Sequence, residues 1–410
     1  MEINKEVKLG DLVEIKGGKR LPRKESLSSI PNEHPYIRVR DIQQNAIVIK
    51  DLAYVPIDIF PLIKNYIVSK GDIIISIVGS IGFVAQIQSE LDKASLTENC
   101  VKLTHYNLNK IDPKYLFYFL TSPIGQHEIN SKVVGSTQPK LPIYNIKNIE
   151  ISLPPLSEQH RIANILSSFD NKIELLRKEN NTLEDIAQSI FKEWFVKYNF
   201  PNKDGKPYKD NNGKMIDSEL GLIPEGWRVG KLGEFGKIVC GKTPPKNIPE
   251  YFNGKYPFIK IPDMQDMFIV RSEDSLTELG AKQLSGKLLP SGSICVSCIA
   301  TIGKVSITTQ DSFTNQQINT IIPKEGTLEY LYFTLSNMKG YLEQIGNRGS
   351  TTFNINTQMF SNLLVAYPPE SIIMNYHTNA NTLLISIQKN MVEIETMLKV
   401  KNILINHLIG

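Results

Sequence analysis

Lys8-Leu9-Gly10-Asp11-Leu12, near the start of this 410-residue chain, returns in diverged form as Lys231-Leu232-Gly233-Glu234-Phe235, shifted by 223 positions. Further on, Pro35-Tyr36-Ile37-Arg38 matches Pro257-Phe258-Ile259-Lys260 at a shift of 222. The shift falls slowly and in one direction to 214 at the last matching segments, as small loop deletions would produce. We infer that residues 8–155 and 231–369 are two copies of one module.

The composition predicts a soluble protein of two or more domains, since 410 residues exceed one ordinary core. Hydrophobic residues make up 41% and charged residues 21%, and no apolar run is long enough to span a bilayer. Four cysteines (Cys100, Cys240, Cys295, Cys298) are too few for a disulfide framework, so we expect a reducing, cytoplasmic location and no membrane partner. A net charge of +4 permits contact with nucleic acid without demonstrating it.

Within each copy the pattern is that of an α+β module. Short β-branched runs punctuated by Gly and Pro indicate strands, and residues 73–87 predict two buried strands joined by a turn. Apolar residues at helical spacing predict one clear helix late in each copy, at 113–120 and 328–335.

After each Pro-Pro pair that closes a copy, the hydrophobic period changes from two to seven. Sustained heptads favour a coiled coil, with two separate amphipathic helices as the alternative. Asn180 and Lys401 interrupt the pattern. The predicted divisions are 1–152 (first module), 153–200 (first helix), 201–368 (turn-rich linker and second module) and 369–410 (second helix). The predicted spacer positions are Ile162, Leu166, Phe169, Ile173, Leu176, Leu183 and Ile190, then Leu384, Ile387, Met391, Ile394 and Leu398.

Residues 236–243, Gly-Lys-Ile-Val-Cys-Gly-Lys-Thr, match the phosphate-binding P-loop pattern letter for letter. A P-loop needs a helix to begin there, but Pro244 and Pro245 follow at once, and the first copy has Val13 in place of the first glycine. We therefore favour a basic glycine loop lying on a DNA backbone, with a plain strand-to-loop turn and a P-loop as alternatives.

No catalytic or metal-ligating constellation is visible. Cys295-x-x-Cys298 corresponds to Ile74 and Ile77 in the first copy, which favours structural cysteines. The histidines lack ligand spacing, and neither a serine nucleophile elbow nor the Asp/Asn-Pro-Pro-aromatic motif of amino-group DNA methyltransferases occurs. The sequence predicts a chain without catalytic residues, bound metal or cofactor.

What does repeat is a set of glycine, hydroxyl and basic residues in loops, which suits close contact with phosphate and base edges. Arg38 and Arg40 flank Val39, so we expect both on one strand face, where an exposed polar strand edge is the alternative. The candidate DNA-contacting residues are Lys16, Lys19, Arg20, Arg38, Arg40, Ser80, Ser136, Thr137, Gln138 and Lys140 in the first copy, and Lys242, Thr243, Lys246, Lys260, Thr301, Arg348, Ser350 and Thr351 in the second.

Over essentially its whole length the chain resembles the specificity subunit of type I restriction-modification systems. The resemblance rests on Lys8-Leu9-Gly10-Asp11 with Gly18, the Gly-Ser-Thr loops, and residues 153–159 (Leu-Pro-Pro-Leu-Ser-Glu-Gln). It also rests on residues 191–195, 205–208 and 223–227. The second helix departs from the family by opening with Glu370-Ser371-Ile372-Ile373.

The resemblance implies two target-recognition domains and an antiparallel pair of spacer helices. It further implies binding to double-stranded DNA, docking of two methylation subunits and, through them, of restriction and translocase subunits. Each module would read a few base pairs, and the helices would set the distance between half-sites. S-adenosylmethionine, ATP and Mg are then expected on the partners. The rival functions are a P-loop nucleotide-binding enzyme and a coiled-coil scaffold without DNA binding.

Overall fold

A computed structural model describes residues 5–346 and 354–409 of the chain. Its contacts divide the chain into two compact units. The first unit runs to Lys172 and takes in the chain from Met397 onward, and the second spans Ile173–Thr396.

The first module is built from short sheets closed by its own first and last strands. The strands are β1 Lys5–Lys8, β2 Glu14–Gly17, β3 Pro35–Ile37, β4 Ile42–Gln43, β5 Ala46–Ile47, β6 Ala53–Tyr54, β7 Ile73–Ser76, β8 Val84–Gln86, β9 Ser95–Leu96, β10 Cys100–Thr104 and β11 Glu150–Leu153, and the helices are α1 Phe60–Ile63, α2 Pro113–Thr121, α3 Pro123–Ser131 and α4 Ile143–Lys147. The terminal pair, β1 with β11, is antiparallel, and four further strands form an antiparallel sheet in the order β2-β10-β7-β8. A third sheet places β3 between β6 and β9, and β4 pairs with β5.

Local sequence accounts for the predicted elements. The buried β7 and its partner β8 confirm the two strands expected in 73–87. Helix α2 begins where Pro113 follows Asp112, whose carboxylate accepts the backbone N–H groups of Lys114 (2.7 Å) and Tyr115 (3.0 Å). The apolar residues of α2 then pack into the same core as β7 and β10.

β11 leads into the long helix α5, Leu156–Phe191, which ends in a π-helical turn at Lys192–Val196. The following elements are β12 Met215–Ile216, β13 Ile223–Pro224, β14 Arg228–Lys231, β15 Gly236–Cys240, β16 Phe252–Ile259, β17 Phe268–Ile269, β18 Asp274–Leu276, α6 Glu278–Gln283, β19 Ile294–Ser297, β20 Val305–Thr308, β21 Phe313–Thr314, β22 Ile318–Pro323, α7 Leu328–Asn337, α8 Lys339–Gly346, α9 Thr357–Ser361, β23 Leu364–Tyr367 and α10 Glu370–Leu408. The second module repeats the terminal pair of the first, as β14 with β23, and its three-stranded sheet, with β16 between β18 and β21. Its large sheet, in the order β15-β22-β19-β20-β17, has a fifth strand, β17, which lies parallel to β20.

The predicted α+β class with a long helix after each module is therefore confirmed. Within the second unit the two long helices run antiparallel, because the Asn390 amide donates to Asn180 (2.9 Å) and the Tyr376 hydroxyl donates to the Ala187 carbonyl (3.3 Å). Within the first unit, the Asp170 carboxylate accepts from Lys401 of α10 and from the Tyr118 hydroxyl (2.6 Å). The predicted spacer positions are all buried or half-buried, which fits coiled-coil pairing.

No helix in the described residues combines the length and apolarity needed to cross a bilayer.

Candidate nucleic-acid interface

The candidate interface is built around a four-residue segment, 96–99, at one end of the large sheet in the first module. The Leu96 carbonyl accepts a hydrogen bond from the backbone N–H of Lys19 (2.8 Å), and the Asn99 carbonyl accepts one from the backbone N–H of Ile77 (2.8 Å). The Thr97 N–H donates to the carbonyl of Ile37 (3.1 Å). One segment thus joins the glycine-lysine loop after β2, the end of β3 and the hairpin loop after β7.

The second module makes the same bonds through segment 314–317. Lys242 N–H donates to the Thr314 carbonyl (2.9 Å), Cys298 N–H to the Gln317 carbonyl (2.8 Å), and Asn315 N–H to the Ile259 carbonyl (3.2 Å). We call segments 96–99 and 314–317 the junction segments. Their repetition shows that both modules use one backbone framework at this end of the sheet.

The repeated glycine-lysine pair has a packing explanation. A Cβ on Gly18 would lie 2.1 Å from the Thr97 carbonyl oxygen, and one on Gly241 would lie 2.1 Å from that of Asn315. Only glycine allows so close an approach, which accounts for its recurrence.

The same region does not have the form of a P-loop. Residues 236–240 form strand β15, and the Thr243 hydroxyl donates to the Gln316 side chain (2.7 Å). No helix begins at Lys242 or Thr243, so the free amides that cradle a phosphate are lacking at this point of the described chain.

Two further loops of the first module meet at this end. Ser76 holds the hairpin loop, because its hydroxyl accepts the N–H of Phe83 (2.9 Å) and donates to the Ser80 carbonyl (2.5 Å). Lys140 forms β-bridges with both Val78 and Val134, and so places the 134–140 loop beside the hairpin loop. The structure thereby brings together Lys19, Arg20, Ser80, Ser136, Thr137, Gln138 and Lys140, all exposed.

Arg20 is held in an ion pair. Its Nε lies 2.6 Å from Glu98 Oε1, and this hydrogen bond raises the pKa of Arg20. Partial burial opposes ionisation of Glu98, but the bonds from Arg20, the backbone and Thr97 outweigh it and lower the pKa of that carboxyl. Lys16 adds less positive charge to this end of the sheet, because its ammonium group pairs with the Glu14 carboxylate (3.0 Å) at the start of β2.

The expectation that Arg38 and Arg40 share a strand face is wrong. Strand β3 ends at Ile37, and a 3-10 turn covers Val39–Asp41. The turn forms because the Asp41 carboxylate accepts the Arg38 backbone N–H (2.8 Å) together with its Nε (2.9 Å) and Nη2 (2.8 Å). The Arg38 side chain is 20% exposed, whereas that of Arg40 is 73% exposed. Arg38 is therefore a structural residue. Arg40 is largely exposed, and its Nε lies 3.9 Å from the same Asp41 carboxylate in an ion pair.

The second module repeats only the backbone part of this arrangement, since Asp263 accepts the Lys260 N–H (2.7 Å) at the start of a 3-10 turn, whereas the Lys260 ammonium pairs with Asp274. Lys242, Lys246 and Thr301 are exposed, and Thr243 is half-buried. Arg348, Ser350 and Thr351 lie outside the described residues.

Reasoning from the sequence missed the junction segments, whose polar side chains include Glu98, Asn315 and Gln316. The two segments are related by a shift of 218 positions, which continues the repeat. Their residues differ at each aligned position, so the sequence repeat alone does not reveal them.

Among the described residues no three His, Cys, Asp or Glu side chains are grouped to hold a metal ion. Cys295 and Cys298 are buried, and burial raises their pKa values to about 12 and about 11. Both are structural cysteines, as their apolar counterparts in the first module predict.

Comparison with known proteins adds family evidence to this geometry. The sequence model described as "Type I restriction modification DNA specificity domain" matches residues 1–185 and 224–407, which are the two repeats with most of their helices.

Two relatives and one solved structure cover most of the chain. The type I restriction enzyme HindI specificity subunit of Haemophilus influenzae is 29% identical over 99% of this chain and 98% of its own length. The MjaIX specificity subunit of Methanocaldococcus jannaschii is 27% identical over 83% of this chain and 77% of its own length. The crystal structure of a type I restriction-modification S subunit from M. genitalium superimposes with a TM-score of 0.61 at 15% identity, covering 100% of this chain and 97% of the other. This last similarity shows a shared fold.

Proposed function

Because the chain belongs to the type I restriction-modification DNA specificity family, its role is DNA sequence specificity, and we propose that its two modules read the two halves of a bipartite target. The observation that supports two readers is the repeated framework. Each module gathers a glycine-lysine loop and a hairpin loop on a junction segment at the end of its large sheet.

The reading surface that we propose consists of these loops. In the first module Lys19, Arg20, Arg40, Ser80, Ser136, Thr137, Gln138 and Lys140 approach DNA, and in the second Lys242, Thr243, Lys246 and Thr301 do so. Cationic side chains and backbone amides would fix the register on the phosphates, and a few side chains would reach base edges. Arg348, Ser350 and Thr351 remain candidates from the sequence alone.

The partners of a family member are DNA and the other subunits of the complex. We propose two methylation subunits, with restriction and translocase subunits joined through them. Methyl transfer from S-adenosylmethionine and ATP- and Mg-dependent cleavage would belong to those partners. The long helices would set the length of the unread gap.

The test compares adenine methylation across the genome of the host with and without this gene. We expect one bipartite motif, with two fixed halves and an unspecified gap, that loses methylation when the gene is removed. An unchanged methylome in a strain that expresses intact methylation subunits would contradict the proposal.

A separate measurement addresses the rival functions. Purified chain assembled with its methylation subunits should bind target DNA in a salt-dependent manner. Saturable ATP binding by the isolated chain would favour a nucleotide-binding enzyme, and the absence of salt-dependent DNA binding would favour a scaffold.

A further inference from the structure

The first module carries a compact three-residue ladder at its proposed DNA-facing end. Val78, Lys140 and Val134 belong to three adjacent segments, with Lys140 in the middle and bridged antiparallel to both valines. Backbone hydrogen bonds hold the ladder together. Lys140 N–H donates to the Val134 carbonyl (3.0 Å), and Val134 N–H donates to the Lys140 carbonyl (2.9 Å). Leu141 N–H donates to the Ile77 carbonyl (2.9 Å).

Side chains of directly paired residues project from the same face, with Cβ atoms about 5 Å apart. Val78 is 42% exposed and Val134 is 40% exposed, and Lys140 between them is exposed as well. The ladder therefore presents one ammonium group flanked by two apolar side chains. Apolar side chains beside the ammonium group can contact thymine methyl groups in the major groove, whereas they make no favourable contact with charged phosphates.

The second module holds the same position with different side chains. Ile299 is bridged antiparallel to Asn354, and Ile355 N–H donates to the Cys298 carbonyl (2.9 Å), as Leu141 does to Ile77. Ile299 is therefore structurally equivalent to Val78, and Asn354 is equivalent to Lys140. The backbone is common to both modules, but the exposed polar group changes from an ammonium to an amide.

Two modules that recognise different base sequences can share one backbone arrangement, but they need different side chains where they contact the base edges. Lysine donates to the O6 and N7 acceptors of guanine, whereas asparagine pairs with the N6 donor and N7 acceptor of adenine. We propose that Lys140 and Asn354 are equivalent base-reading residues, Lys140 for a guanine in one half of the target and Asn354 for an adenine in the other. This inference rests on the proposed function.

The test exchanges the two side chains in the full chain, assembled with its methylation subunits, and maps the methylated motif of each variant. Lys140→Asn should change one position of one half-site from guanine to adenine, and Asn354→Lys should change one position of the other half from adenine to guanine. Preference at the affected position should shift by about tenfold or more. Lys140→Arg should keep guanine, and Lys114→Asn, at an exposed lysine at the start of α2, should leave the motif unchanged.

A second measurement needs no variant to be active. In the wild-type complex, 7-deazaguanine at the assigned guanine removes the N7 acceptor and should weaken DNA binding, whereas the same substitution at guanines in the gap should not. A half-site for the first module without guanine, or an assigned guanine insensitive to this substitution, would overturn the inference.

Different results would exclude the base-reading role of Lys140 and the proposed function. If Lys140→Asn weakens binding equally on all sequences and lowers the salt dependence by about one charge, Lys140 contacts phosphate and the inference fails while the proposed function stands. A wild-type complex without any bipartite motif would remove the proposed function itself.

Discussion

Removing the Arg38 side chain should destabilise the first module more than removing that of its exposed neighbour Arg40. In Arg38→Ala, the Asp41 carboxylate, 7% exposed, loses both guanidinium bonds and keeps the backbone bond from residue 38. We expect a loss of about 1–3 kcal/mol in the stability of the first module, measured by thermal or urea unfolding. Arg40→Ala is the matched control with the same loss of charge. Its exposed ion pair with Asp41 contributes about 0–1 kcal/mol, so stability should fall less than in Arg38→Ala, while recognition of only one half-site weakens. Equal unfolding curves for both variants would contradict this assignment.

Lys242 tests the P-loop resemblance directly. Its backbone N–H is bonded to Thr314 whatever the side chain, so Lys242→Ala should preserve the fold. We expect no nucleotide binding by either form of the isolated chain. The assembled complex should lose DNA affinity, with a salt dependence shallower by about one charge. Lys237→Ala, at an exposed position within β15, is the control and should not change the salt dependence. Measurable ATP affinity in the wild-type chain would overturn this interpretation.

At the residue scale, prediction from sequence succeeded where a residue type has one physical explanation. Gly18 and Gly241 recur because a side chain has no room there, and Cys295 was recognisable as structural from Ile74 in the first copy. It failed at Arg38, because alternation along 36–39 predicts a strand and the competing Asp41 carboxylate ends that strand early. A hydrogen bond from a side chain to a nearby backbone carries no periodic signal.

Among the elements, the long helices pair two polar residues at the point where Asn180 interrupts the heptads of α5. Asn180 and Asn390 bond to each other at 2.9 Å, and both side chains are half-buried. Asn390→Leu alone should cost about 1 kcal/mol by leaving the Asn180 amide without this partner. The double variant Asn180→Leu and Asn390→Leu should recover that loss or exceed wild-type stability, since such a pair specifies register at a cost in stability.

A double-mutant cycle of unfolding free energies measures this coupling. Asn402→Leu, at an exposed position of α10, provides a control that should show no coupling to Asn180. Strict additivity of the two core substitutions would show that the Asn pair does not stabilise the helical pairing.

The elements themselves were largely predictable, since period is a local property of the chain. The heptads located α5 and α10, and the bounds of α2 and α7 agree with the predicted helices to within two residues. The junction segments were not predictable, because their role consists of backbone bonds to residues about 20 to 80 positions away in sequence.

For the whole molecule, the proposed role of the helices as a spacer can be tested by length. Seven residues inserted in both helices, near Leu183 and near Ile387, preserve the heptad pairing and add about 10 Å. About 3 base pairs cover that length at about 3.4 Å per step. We expect both half-site sequences to be kept and the unread gap to lengthen by roughly 3 base pairs, as mapped by methylation in the host.

Insertion in one helix only is the control, because the extra turns then lack a facing partner and activity should fall. The rotation that accompanies a longer helical pair can demand a different gap, which the mapped motif reports directly. An active double-insertion variant with an unchanged gap would mean that the helices do not set the spacing.

Each module begins and ends on two neighbouring antiparallel strands, β1 with β11 and β14 with β23. A segment whose two ends lie side by side can be exchanged for another of different length without displacing what surrounds it. In genetic terms, a crossover whose endpoints fall in the two flanking strands transfers one complete reader. Descendants of such an event would inherit a new sequence for one half of the target while keeping the other half, so the system would change its target in one generation.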